Sequence, residues 1–256
     1  MGIADLVAKV KPAVISVRVK MDQAASPEAM SQQNDGNDNP FQSGSPFKKF
    51  FRQFPFGDNP NGSPQQHRMI TGVGSGFFIS ADGYAVTNYH VVDHATDVQV
   101  TSDDGSIYSA KVIGSDPKTD VALIKVNGKS DFPFVKFADH SPRIGDWVVA
   151  VGNPFGLGGT VTAGIVSAGR DIGGGPYDDY IQIDAPINKG NCGGPAFDVD
   201  GNVIGINTAI FSPSGGSLRQ VACTRFRRHR LARIIHGGVG LGEVSGDGRA
   251  HPLFSA

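Results

Sequence analysis

"TGVGSGFFISADGYAVTNYHVV", residues 71–92, is the stretch from which the fold follows. Short runs rich in Val, Phe and Ile are punctuated by Gly and by an Ala-Asp-Gly turn, which is the spacing of strands and hairpins. The same pattern continues through "DVQVTS" (97–102), a "DDGS" hairpin (103–106), "YSAKVIGSD" (108–116) and "DVALIKV" (120–126). A less regular stretch, 127–145, precedes a second series: "WVVAVGNP" (147–154), "TVTAGIVSAGRDI" (160–172), "YIQIDAPI" (180–187) and "GPAFDVDGNVIGINTAIF" (194–211). Strands in two batches with no helix-length pattern between them predict an all-β fold of two antiparallel barrels, not βαβ units.

Composition agrees with this. The 256 residues include 35 Gly and 16 Pro, with 39% hydrophobic residues, which suits many turns and short strands. A net charge of -1 argues against nucleic acid or a membrane surface as principal partner. The opening "MGIADLVAKVKPAVISVRV" has no apolar h-region with a cleavage site, so no signal peptide is expected in this chain. No stretch reaches the ~18 apolar residues of a membrane span. Two cysteines, Cys192 and Cys223, define no disulfide framework, although one bridge stays open. Seven scattered histidines and no cysteine ligand spacing imply no metal. With no Gly-rich phosphate loop either, no cofactor is expected.

The flanks are less regular. Ile3 to Val10 has helical apolar spacing, and Pro12 ends it before the strand-like "AVISVRV" at 13–19. From 21 to about 68 the chain is rich in Gln, Asn, Ser, Pro and Gly, with the aromatic and cationic patch "FKKFFRQFPF" at 47–56. Such a segment reads as a surface insertion, or as one whose phenylalanines dock on another subunit or on the active site. After Ser217 an arginine-dense tail begins, for which a basic helix from about Cys223 to His236 is expected.

Acyl transfer needs a nucleophile, a base to take its proton, a group to orient that base, and donors for the oxyanion. His90 ends the predicted strand "AVTNYH", Asp120 stands at the mouth of "VALIKV", and Cys192 lies in "NKGNCGGPAF" (188–197) among Gly190, Gly193 and Gly194. Each alone has an ordinary structural reading: a strand-end histidine, a turn aspartate, a tight turn. Together, in this order, they supply one candidate for every role.

The stretches 71–92, 116–126, 150–168 and 181–216 closely resemble the protease domain of the HtrA/DegP (Do-like) family, a branch of the trypsin-like serine proteases. The resemblance runs from about Ile3 to Ser217. It implies two antiparallel six-stranded β-barrels with the active site between them: a protease domain over 1–217, with barrels at about 12–126 and 145–217. The arginine-rich tail at 218–256 departs from the family, which there continues toward PDZ domains, and no PDZ domain is expected in it. His90 then matches the general base, Asp120 its orienting carboxylate and Cys192 the nucleophile, a serine in the family. Gly190 and Cys192 match the oxyanion donors, with Asn191 between them, and Ile206, Asn207 and Thr208 the strand bordering the substrate. The resemblance further implies hydrolysis of unfolded or misfolded polypeptides, a homotrimer or higher oligomer, a periplasmic home in a bacterium, and a regulatory role for the 21–68 loop.

Two departures qualify this. Sulfur is larger than oxygen and its bond to carbon longer, so a thiol in a serine-shaped site is displaced from the oxyanion donors, and small displacements cost orders of magnitude in rate. A thiol nevertheless ionises far more easily than an alcohol, near pH ~8.5, and a neighbouring imidazole favours the thiolate. Weak peptide turnover and better turnover of activated esters are therefore expected. The tail, for its part, replaces the family's Gly-rich strand beside the specificity pocket, so the second barrel is expected to lack a closing strand. The readings that follow are a weakened endopeptidase, a catalytically silent chaperone-like module holding extended chains, and a truncated product without function.

Overall fold

The computed structural model describes residues 2–22, 69–154, 156, 158–170, 180–187, 191–211 and 220–225. A helix, α1 (Ile3–Val10), and a 3-10 turn (Lys11–Ala13) lead into β1 (Val14–Asp22) and β2 (Met69–Phe78). Then follow β3 (Tyr84–Thr87), a single helical turn α2 (Tyr89–Val92), β4 (Ala95–Thr101), β5 (Ile107–Asp116) and β6 (Val121–Val126). The second series is β7 (Trp147–Gly152), β8 (Thr160–Arg170), β9 (Tyr180–Ile183), β10 (Pro195–Phe197), β11 (Val203–Phe211) and β12 (Gln220–Arg225).

Each series closes on itself, in the orders β1-β2-β3-β6-β5-β4 and β10-β11-β12-β9-β8-β7. All pairings between these strands are antiparallel, which lets one face of each strand line a barrel interior. Ile15, Val17, Phe78, Val100 and Ile124 fill the first interior, and Val148, Ala150, Ile181, Ile183 and Ile204 the second. A third cluster joins the barrels. Leu6 and Val10 of α1 pack there with Phe77, Val86 and Leu123 of the first barrel and Val149, Phe197 and Ile206 of the second. The apolar stripe of α1 is thus a wedge between barrels, and Gly2 and Asp5 cap its first turn.

Three expectations change. The second barrel is not open: β12, taken from beyond Ser217, pairs β11 through Asn207↔Cys223 and β9 through Cys223↔Ile181. Accordingly no helix begins at Cys223. The β-compatible "VACT" meets two strand edges that would otherwise be unpaired, and those ladder bonds outweigh a weak helical pattern. The remainder of the expected helix lies outside the described residues. Finally, "AVTNYHVV" is not one strand: it breaks at Asn88, and His90 stands on α2 rather than on the end of β3. Of the 21–68 insertion only Met21 and Asp22 are described; they extend β1 opposite Ile70 and Met69. Among the described residues no helix is long and apolar enough to cross a membrane.

Candidate active site

His90 and Asp120 both belong to the first barrel, one just after β3 and the other just before β6, which are hydrogen-bonded neighbours. Asp120 adopts a left-handed backbone, φ 54°, sparsely populated by residues with a side chain. Its carbonyl holds that conformation by accepting the Asn88 side-chain amide at 2.8 Å and the Tyr89 N–H at 3.2 Å. The carboxylate then faces α2. Oδ1 accepts the His90 backbone N–H at 3.0 Å and Oδ2 accepts the ring Nδ1–H at 2.7 Å, so main chain and ring are fixed together.

The second barrel completes the carboxylate's surroundings. Thr208 Oγ1 donates to Asp120 Oδ2 at 2.7 Å and accepts from Asn88 Nδ2 at 2.6 Å. Thr208 sits at an irregularity between Asn207 and Ala209 in the β11–β12 register, and such bulges re-aim a side chain. Sequence reasoning placed Thr208 beside the substrate; its hydroxyl lies under the aspartate.

Cys192 is partly exposed and stands on a turn tied to both barrels. Its carbonyl accepts the Ser75 N–H of β2 at 2.9 Å, while Gly193 N–H reaches Asn207 O at 2.8 Å and Gly194 N–H reaches Asn191 O at 2.9 Å. Gly193 has φ +85°, and a Cβ there would collide with the Ser75 carbonyl and lie 2.7 Å from Thr87 Oγ1. Only glycine allows the chain to turn so close to the first barrel. Ile206 and Asn207, expected at the substrate's edge, have buried side chains; Asn207 braces the turn, its N–H donating to Gly194 O at 2.9 Å. Asn191 is buried too, its Oδ1 taking the Thr160 hydroxyl at 2.5 Å. Gly190 lies outside the described residues.

Sequence reasoning missed Ser75. This buried serine binds Cys192 O through its N–H, accepts the Thr87 hydroxyl on its carbonyl at 2.7 Å, and takes the Asn153 N–H of the second barrel on its Oγ at 2.8 Å. The available signal was a polar residue inside the apolar strand "GVGSGFF". Asn88, fully buried beside His90, was missed in the same way.

The His90 ring is about one-fifth exposed. Burial opposes its protonation, but hydrogen bonds to Asp120 and to Cys192, with the negative charge of each, outweigh burial and raise its pKa to about 9. With Nδ1 committed to Asp120, Nε2 is the nitrogen left for the sulfur. A histidine bonded to a carboxylate on one side and to a cysteine sulfur on the other sets a proton carrier next to a nucleophilic atom, the equipment of acyl transfer. Among the described residues no three His, Cys, Asp or Glu side chains gather as metal ligands.

Two closed antiparallel barrels with a histidine–aspartate pair on the first facing the Cys192 turn of the second are the arrangement of the trypsin-like peptidase class. The comparisons agree: a model of the trypsin-like peptidase domain matches residues 74–206. The chain belongs to that family, in its DegP/HtrA branch. It is 56% identical over 240 residues to a probable periplasmic serine endoprotease DegP-like from Brucella suis, covering 85% of this chain and 45% of the relative. It is 45% identical over 228 residues to the periplasmic serine endoprotease DegP of Escherichia coli, covering 85% and 47%. The chain thus spans about half the length of the curated relatives it matches. Among solved structures, the HtrA-type protease AlgW with a decapeptide superposes with a TM-score of 0.67 at 34% identity, covering 93% of this chain and 69% of that one.

Proposed function

We propose that this chain is an endopeptidase of the DegP/HtrA type in which Cys192 replaces the serine nucleophile and slows peptide turnover. The observation that carries the reading is the His90 ring, bonded to Asp120 at 2.7 Å on one side and to Cys192 on the other. In this reading His90 holds the nucleophile's proton and returns it to the leaving amine, Asp120 orients the ring, and Thr208 and Asn88 orient Asp120. The N–H groups of Gly190 and Cys192 receive the oxyanion, and the strand at Ile206, Asn207 and Thr208 borders the substrate. The unit is a protease domain that runs from the N-terminal segment through at least Arg225, because β12 (Gln220–Arg225) closes the second barrel beyond the expected boundary at 217.

The substrates are extended segments of unfolded polypeptide, the location is periplasmic, and the working form is a homotrimer or larger. Relatives named periplasmic endoproteases favour the location, and a neighbour bound to a decapeptide favours the extended-peptide substrate; the oligomer rests on the family resemblance alone. Peptide turnover is slow for a reason of leaving groups. The tetrahedral adduct of a thiolate and an amide expels sulfur more readily than nitrogen, so it reverts unless His90 protonates the amine first.

Casein cleavage by the native chain, Cys192→Ser and Cys192→Ala tests this. The serine form should cleave fastest, the native form slowly, and the alanine form not at all. A serine form that folds and stays inactive refutes the protease reading and favours a binding module that holds extended chains.

A further inference from the structure

We propose that this chain, once acylated at Cys192, passes the acyl group to primary amines in preference to water, so that from activated acyl donors it forms amides. The inference rests on the reading that Cys192 is acylated, and it adds the acceptor class. The cysteine is part of a built site, with a histidine ring bonded to it and an aspartate bonded to that ring. The turn beneath it is pinned by Ser75 N–H, by Asn207 O and by Gly193, which tolerates no Cβ, so the sulfur stays opposite the ring.

The steps balance without an oxidant or reductant. The Cys192 thiolate adds to the donor's carbonyl carbon, the carbon–leaving-group bond breaks, and the departing group takes the proton of the His90 imidazolium. A thioester and a neutral imidazole remain. The hydrogen bond and the charge that Cys192 lent to the imidazolium are then gone, so the ring's affinity for a proton falls and it stays in the neutral form, free to accept the next proton. An amine lone pair adds to the thioester carbonyl, the carbon–sulfur bond breaks with its electron pair on sulfur, and the amine's surplus proton goes to His90 Nε2. The product is an amide, and the thiolate–imidazolium pair is restored.

Sulfur biases this partition at the second tetrahedral adduct. An adduct of an amine with a serine ester must expel either the amine or an alkoxide, and the amine is the easier to lose, so attack by amines is largely unproductive. The adduct with a thioester expels a thiolate, whose low basicity makes it the better leaving group, and the nitrogen stays. Water gains less, because it must be deprotonated as it attacks. The property that makes Cys192 a poor amidase therefore makes its acyl-enzyme a good amide former.

The test uses the full chain with p-nitrophenyl acetate as donor and glycinamide as acceptor. Nitrophenol release and the mass of the Cys192 peptide report acylation; N-acetylglycinamide and acetate, measured by NMR after subtracting the Cys192→Ala blank, report partition. We expect amide to exceed acetate in the native chain, with an amide-to-acetate ratio at least about tenfold above that of Cys192→Ser. Acetate in excess from an acylated native chain overturns the proposal and leaves the protease reading standing, and that outcome does not depend on the serine form folding. Equal ratios in the cysteine and serine forms also overturn it. Absence of any acyl mass on Cys192 overturns the proposal and the assignment of the nucleophile together.

Discussion

Replacing Thr208 by valine should slow acylation of residue 192 roughly ten- to hundredfold while leaving the chain folded. The hydroxyl lost is 2.7 Å from Asp120 Oδ2, the oxygen that also holds His90 Nδ1 at 2.7 Å. Valine keeps the branched shape in a site only 3% exposed, so little changes apart from that hydrogen bond. A hydrogen bond to a charged group contributes about 1.5–3 kcal/mol, and each ~1.4 kcal/mol expressed in the barrier is a factor of about ten. Asn88 Nδ2 loses one acceptor but keeps Asp120 O at 2.8 Å, so the amide is not stranded and the stability loss is about 1 kcal/mol. The assay is the nitrophenol burst from p-nitrophenyl acetate, which isolates acylation from turnover, with thermal melts alongside. The effect belongs in the acylation rate and not in apparent ester affinity, and Thr208→Ser should restore most of it. A valine form that acylates at the native rate with an unchanged melt refutes the view that this hydroxyl positions the aspartate. So does a serine form as slow as the valine form.

Protonated His90 is the acid that releases a leaving amine, so acylation by amide substrates should fall as pH rises through about 9, and the pH–rate profile of Asp120→Asn should place that limb lower. Because the folded pKa lies above the ordinary 6.5, the associated stability is fully present below pH 6.5 and is lost as pH rises through about 9. Its size is at most about 3 kcal/mol, read as the difference between urea unfolding at about pH 6 and about pH 10. Gly193→Ala should destabilise the protein by more than about 2 kcal/mol in thermal or urea melts, since it imposes a left-handed backbone on a residue whose Cβ meets the Ser75 carbonyl. An unchanged melt would show that the turn can move. Ser75→Ala strands the buried Asn153 N–H and should cost about 1–3 kcal/mol, with slower acylation because the same strand grips Cys192.

Much of this was legible before any coordinates, because the signals are local. Strand-length apolar runs between Gly and Asp turns announced most of the strands, and β1 through β11 fall on or near those runs, while the helical turn at Tyr89–Val92 and the strand at Gln220–Arg225 were not announced. His90, Asp120 and Cys192 were legible because nucleophilic chemistry demands particular residue types, and each stands in a stretch whose neighbours suit its role. Ser75 and Asn88 were not. A buried polar residue in an apolar strand has no meaning until its partners are known, and theirs lie at Cys192 and Asn153, and at Asp120 and Thr208.

The arginine-rich segment makes the same division from the other side. Its arginine-dense pattern predicted a helix from Cys223, yet residues 220–225 form a strand because β9 and β11 leave edges whose backbone groups need partners. That pairing carries the irregularity at Thr208 and so bears on the hydroxyl beneath Asp120. Sequence alone determined the family, the two-barrel plan and the candidate trio His90, Asp120 and Cys192, since each is a matter of residue type and short-range spacing. Tertiary structure decided how the second barrel closes, which hydroxyl and amides hold the aspartate, and how far the histidine's affinity for a proton is raised. Those depend on distances between segments far apart in the chain, and hydrogen bonding and electrostatics act through space.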